Sequence, residues 1–169
     1  MVGAVVLAAG AASRYGSPKQ RVFLPRVLEA LHASVVDEIV VVAGAHELDA
    51  DAAVVHCPEW QRGPGASLRC GLRALGDGVA AAVIALADGP NLDARAVDRV
   101  IAAWREQRGT RLAATYDGAS RSHPVLLARS AWPQIPDAGA RALSVTLVPC
   151  TDLAEPGDVD MPPSRVTRY

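Results

Sequence analysis

Val2-Gly3-Ala4-Val5-Val6-Leu7-Ala8-Ala9-Gly10 decides how the chain folds. Val2 to Ala8 is apolar without period-two alternation, so it reads as a strand covered on both faces, and it ends in a loop of small residues. A strand of that kind belongs in a parallel sheet with helices packed on each side. Outward from it the pattern repeats. Apolar residues at Leu24, Val27, Leu28 and Leu31 have helical spacing, with Pro25 placed in the first turn. Glu38 to Ala43 reads as a second buried strand, punctuated by Gly44, and Ala53 to His56 as a short third. Gly63-Pro64-Gly65 breaks the chain before a helix carrying Leu68, Leu72 and Leu75. Val79 to Ala87 is again all apolar and stops at Asp88-Gly89-Pro90; Val97, Val100, Ile101 and Trp104 mark the next helix, with Asp93 as its N-cap. Leu112 to Tyr116 and Val125 to Leu127 read as later strands, Ala138 to Leu143 as a short helix, and the Pro-rich end from Pro156 to Pro163 as a trailing strand and tail.

Strand and helix alternate throughout, which predicts one α/β domain over residues 1–169, Rossmann-like, with three α/β/α layers and a mostly parallel sheet. At 169 residues one core is the expectation, and with only 4% aromatic residues it is packed from Ala, Val and Leu. The net charge of −1 and scattered Lys and Arg residues leave no basic stripe for nucleic acid or an anionic membrane. The start has no basic segment ahead of its short apolar run, so neither a signal peptide nor a membrane span is expected, and the cytoplasm is the default location. The three cysteines are odd in number and lack a Cys-x-x-Cys pair. They read as reduced, packed thiols.

In an open parallel sheet, ligands bind beyond the carboxyl ends of the strands. Two segments place chemistry there. In Leu7 to Lys19, small residues at Ala8, Ala9 and Gly10 let the backbone N–H groups approach an anion. Arg14 and Lys19 add fixed positive charge for several phosphate oxygens. The loop has neither the Gly-Lys-Ser/Thr of a P-loop nor a Gly-x-Gly-x-x-Gly turn. The second segment is Asp88-Gly89-Pro90. A carboxylate just past a buried strand needs a partner, and Mg²⁺ held by one or two carboxylates plus substrate phosphates supplies it. Asp158 or Asp160, with Asp160 preferred, offers the second carboxylate. Such a set suits chemistry at an α-phosphate, carried by positioning and electrostatics. Read without any relative, the loop also fits a plain turn with two solvated cations, and Asp88 a turn cap.

Leu7-Ala8-Ala9-Gly10, then Ser13-Arg14, Gly16 and Lys19, resembles the Leu-Ala-Ala-Gly-x-x-x-Arg-x-Gly-x-x-Lys loop of the MobA-like NTP transferases. Ala9 in the third position is most similar to the molybdenum cofactor cytidylyltransferase (MocA-like) branch; the guanylyl branch carries Gly there. Pro58-Glu59-Trp60, Gly63, Ser67-Leu68 and Gly71-Leu72 resemble that branch's nucleotide-contacting segment. Asp88-Gly89-Pro90 resembles its metal-binding Asp-x-Pro. His123-Pro124-Val125 and Asp137-Ala138-Gly139-Ala140-Arg141 resemble stretches on the acceptor side, and Asp158-Val159-Asp160 its Asp-x-Asp. The resemblance implies a nucleotide-diphospho-sugar transferase-like fold and Mg²⁺-dependent transfer of a nucleoside monophosphate with release of pyrophosphate. Catalysis would fall to Arg14, Lys19 and Asp88. Leu7, Ala8, Ala9, Gly10, Ser13, Arg14, Lys19, Gly63, Ser67 and Asp88 would hold the nucleotide. The implied acceptor residues are His123, Asp137, Gly139 and Arg141, and the metal ligands Asp88 and Asp160. CTP and a molybdopterin-type phosphate are the implied substrates, and a molybdoenzyme is a possible recipient of the product. GTP, another phosphorylated metabolite, or a non-catalytic nucleotide-binding role remain open alternatives. The chain departs from the family in a shortened stretch after Lys19, in Ser122 and Pro136 where the family has Gly, and in Met161 to Ser164.

Overall fold

The computed structural model describes residues 1–10 and 19–157, without the side chains of 19–21. Its seven strands form one sheet: β1 (Val2–Ala8), β2 (Glu38–Ala43), β3 (Ala53–His56), β4 (Ala81–Leu86), β5 (Arg111–Thr115), β6 (Ser122–Ala128) and β7 (Thr146–Pro149), in the spatial order β3-β2-β1-β4-β6-β5-β7. Every pairing is parallel except those of β6, which runs against both β4 and β5. The mostly parallel sheet is as expected; β7 was not anticipated.

The strands between the exposed edges β3 and β7 are apolar on both faces because both faces are covered. Val2, Ala4, Val6 and Ala8 of β1 join a core with Leu24, Val27, Leu28 and Leu31 of α1 (Lys19–His32) and Val97, Val100 and Ile101 of α3 (Ala94–Arg105). Val5 faces the other way, into a core with Leu68, Leu72 and Leu75 around α2 (Pro64–Ala74). Helix α1 begins at Lys19, a turn and more before the expected start, so Pro25 lies inside it rather than in its first turn. Helix α3 is capped as read: the Asp93 carboxylate accepts from the Arg95 N–H at 2.8 Å. The expected helix over 138–143 is only a 3-10 turn, Ala140–Ala142. Of the Pro-rich end, Pro156 and Gly157 fall among the described residues and are not in a strand.

Two features set up the site. The chain runs from β1 outward to β2 and β3, then returns to place β4 on the opposite side of β1. The order reverses there, and at such a switch point the loops after adjacent strands diverge and leave a crevice. The antiparallel β6 then starts where β4 ends, which delivers Ser122 and His123 to the same edge. Among the described residues no helix is long and apolar enough to cross a membrane.

Candidate active site

The ends of β1 and β4 lie side by side, Leu7 paired with Leu86, and the Ala87 N–H donates to the Leu7 carbonyl at 3.1 Å. Asp88 therefore sits beside the start of the small-residue loop. Ala8 and Ala9 are buried and Gly10 is exposed, so the backbone reaches the surface at the loop's first glycine. The turn after Asp88 is fixed by the Gly89 N–H to the Leu86 carbonyl and the Leu92 N–H to the Gly89 carbonyl, both 3.2 Å. Segment 154–157 folds back over it, with the Asn91 N–H donating to the Pro156 carbonyl at 3.0 Å.

Beyond β4 opens a cleft of about 330 Å³, lined in part by Leu86, Gly89, Ser122, His123 and Glu155. Burial pushes the His123 imidazole down to about 4; the Arg121 guanidinium adds to this and Asp88 opposes it. At neutral pH the ring is therefore uncharged, able to donate one hydrogen bond and accept another. The His123 carbonyl accepts from the Tyr116 hydroxyl at 2.8 Å, and burial pushes that phenol up, keeping it a donor. The Ser122 hydroxyl donates to Glu155 at 2.8 Å.

On the other side of β1, the Cys57 N–H bonds the Ala43 carbonyl at 2.8 Å and carries the chain from β3 into the 3-10 turn Trp60–Arg62 and Gly63. Gly63, at φ +127°, is the N-cap of α2, with Pro64 opening the first turn. Ser67 lies within the first turns of this helix. It is 3% exposed. A helix N-terminus favours an anion such as a phosphate.

Asp137 to Arg141 packs directly on this helix start. The Gly65 N–H donates to the Asp137 carbonyl at 2.9 Å, and a Cβ on Gly65 would lie 1.8 Å from the Pro136 carbonyl oxygen. The Asp137 carboxylate is held by Arg69 and by Arg62, and its pKa is lowered, chiefly through the hydrogen bond from Arg69. It braces the segment. Gly139 adopts φ +82° to turn the chain toward Arg141, whose side chain is exposed. Arg121 was overlooked in the sequence. Its guanidinium donates to the carbonyls of Ala140 (3.1 Å), Arg141 (3.4 Å) and Leu143 (2.6 Å), tying residues 140–143 to the strand that carries His123. The one available signal was its position directly before Ser122-His123-Pro124.

Leu7 to Gly10, Gly63, Ser67, Asp88, His123, Asp137, Gly139 and Arg141 thus gather at one edge of the sheet. Ser13, Arg14, Asp158 and Asp160 lie outside the described residues, as does the side chain of Lys19. One reading is corrected outright: Cys57 and Cys70 are bonded to each other, with their Cα atoms 5.9 Å apart, and only Cys150 is a free, buried thiol. Their distance in sequence concealed a pairing made by packing α2 against the end of β3.

Residues 4–147 match the model of the MobA-like NTP transferase domain. The chain belongs to that family. Among solved structures it is similar to a homolog of Mycobacterium tuberculosis rv0371c from Mycobacterium sp. strain JC1, at 23% identity and TM-score 0.78, over 95% of this chain and 90% of that one. Rv0371c of M. tuberculosis H37Rv in complex with manganese superposes at TM-score 0.67 and 20% identity, over 88% and 87%. A CMP:2-keto-3-deoxy-manno-octonic acid synthetase complexed with CTP superposes at TM-score 0.66 and 10% identity, over 95% and 93%. At these identities the likeness establishes the fold, that of the nucleotide-diphospho-sugar transferases. No curated protein sequence matches the chain. Membership of the MobA-like family makes nucleotidyl transfer the class of chemistry.

Proposed function

We propose that this MobA-like domain, spanning residues 1–169 and acting in the cytoplasm, transfers CMP from CTP to the terminal phosphate of a molybdopterin-type acceptor, with a molybdoenzyme receiving the product. The observation that carries the reading is the placement of Asp88 beside the β1 loop at the switch point, bridged by the Ala87–Leu7 hydrogen bond. That geometry supports a role for the Asp88 carboxylate beside a triphosphate cradled by the loop.

The residues fit a Mg²⁺ ion. Among the described residues no group of three metal-ligating side chains exists, so Asp88 would act as one carboxylate completed by phosphate oxygens and by Asp160. Mg²⁺ there would neutralise phosphate charge at the reacting centre. The manganese complex of the mycobacterial structure and the CTP complex of the synthetase support a divalent ion and CTP as first choices.

Ala8 to Gly10 present backbone N–H groups to the phosphates, with Ser13, Arg14 and Lys19 gripping the chain farther along the loop. Gly63 and Ser67 place the N-terminus of α2 on the nucleotide. An acceptor phosphate oxygen attacks the α-phosphorus, the bond to the β-phosphate oxygen breaks, and pyrophosphate leaves with the electron pair. The attacking oxygen is already anionic, so no general base is required. Neutral His123 orients the acceptor, with Gly139 and Arg141 beside it. Asp137 is a positioning residue that sets this segment against α2.

Pyrophosphate release measured with CTP and GTP, across phosphorylated acceptors and with Mg²⁺ or Mn²⁺, tests the reading. Asp88→Ala is expected to abolish turnover while its melting curve stays cooperative. No pyrophosphate with any combination, or full activity in Asp88→Ala, would overturn it.

A further inference from the structure

Cys57 is fully buried at the end of β3, and Cys70 is half-buried on α2. Their Cα separation of 5.9 Å lies within the span a disulfide bridges. The bond closes a loop that contains the Trp60–Arg62 turn, the Gly63 cap and Ser67. Both sulfurs also have polar neighbours suited to the open form. The Ala66 carbonyl, 3.7 Å from the Cys57 sulfur, can accept from a Cys57 thiol. The Arg73 guanidinium donates toward the Cys70 sulfur at 3.5 Å, where it would stabilise a departing thiolate. A reagent in solvent can reach Cys70 but not Cys57.

We propose that Cys57 and Cys70 form a reversible thiol–disulfide site, opened by a dithiol reductant at Cys70 and closed by a small-molecule disulfide. A reductant thiolate attacks the Cys70 sulfur and the Cys57–Cys70 bond breaks. The electron pair leaves on the Cys57 sulfur, which takes a proton. The reductant's second thiol, as thiolate, attacks the mixed disulfide and expels Cys70 as a thiolate beside the Arg73 guanidinium, and the Cys70 sulfur takes up the second proton from solvent as its thiol re-forms. The cysteine pair gains two electrons and two protons, and the reductant ends as a disulfide. Closure runs the same exchange backwards. Such a site needs one accessible sulfur, a buried partner and a stabilised leaving group, and this pair has all three. The bond pins the 57–70 segment whether or not a nucleotide binds there; any effect on nucleotide affinity rests on the proposed function, but the redox chemistry does not.

The test uses the folded full chain held in excess glutathione disulfide, then in excess dithiothreitol, then returned to glutathione disulfide. Each sample is quenched in acid, denatured, alkylated and weighed intact. Of the three cysteines, one is expected to label after oxidation, three after reduction and one again after return, with the unlabelled pair mapping to Cys57 and Cys70. Removing a cross-link of this loop length lowers Tm by about 6–12 °C on reduction. Cys70→Ser is expected to label at two positions under every condition and to lose the redox dependence of Tm. Cys57→Ala, with Cys70 left accessible and without its partner, should instead carry a glutathione adduct after oxidation and label at two positions after reduction. Three labelled cysteines after oxidation, a bond involving Cys150, a pair that resists dithiothreitol in the folded protein, or equal Tm in both forms would overturn the proposal.

Discussion

Lowering the pH from 8 to 5 should destabilise this protein through His123, by an amount that follows from the cleft. Burial, reinforced by Arg121 and opposed by Asp88, holds the folded imidazole at about 4 against an ordinary value of 6.5. Glu155 and Tyr116 are the other titratable groups near it. The unfolded chain therefore binds the proton first, and stability is lost as pH falls from 6.5 toward 4, then levels off below. Above 6.5 both states carry a neutral ring and His123 contributes no slope. Linkage gives a loss of about 2 kcal/mol at pH 5 and about 3 kcal/mol in full. For a chain of this size that is a Tm drop of about 4–8 °C at pH 5. The shifted carboxylates Asp93, Asp117, Asp137 and Asp152 have lowered pKa values, so their contributions fade below this window. Thermal melts of the wild type and of His123→Gln from pH 8 to 4.5, in matched ionic strength, isolate the term. Gln cannot titrate, so the variant's curve should lose most of the slope between pH 6.5 and 5. Equal slopes in both proteins would refute the account of a buried neutral imidazole.

Gly65→Ala should force the Pro136–Asp137 backbone off α2, because the added Cβ meets the Pro136 carbonyl oxygen. Overpacking of this kind costs about 2 kcal/mol, a Tm loss of about 4–8 °C by calorimetry, and activity should fall further than stability alone predicts. Arg121→Lys keeps the charge but loses the planar fork that reaches three carbonyls. A stability loss of about 1–2 kcal/mol in urea melts is expected. Under the proposed reaction, acceptor KM should rise at least tenfold while that for CTP stays within a factor of two.

Much of the fold was legible because it is written in local hydrophobicity. The runs at Val2–Ala8 and Glu38–Ala43 match the strands residue for residue, since a strand covered on both faces admits few polar side chains, and the run at Ala53–His56 matches the exposed edge strand β3. Strand β7 was not legible. It lies at the sheet edge, only Val148 of its four residues is buried, and Pro149 ends it. The direction of β6 was equally hidden, because an apolar run does not say which way it points. In the site, Asp88 stood out as a carboxylate just past an apolar strand, and His123 only through the family resemblance. Arg121 and the Cys57–Cys70 pair did not, since each acts on groups distant in sequence and leaves no periodic trace.

The guanidinium of Arg121 has a consequence for how substrate preference could drift. One side chain fastens residues 140–143 to the strand bearing His123, so the two walls cannot be remodelled independently. A new acceptor would have to be accommodated by exchanging side chains such as Arg141 on a fixed backbone. Insertions in this stretch would cut the staple, whereas point substitutions leave it intact, so variation here should run through residue identity rather than loop length.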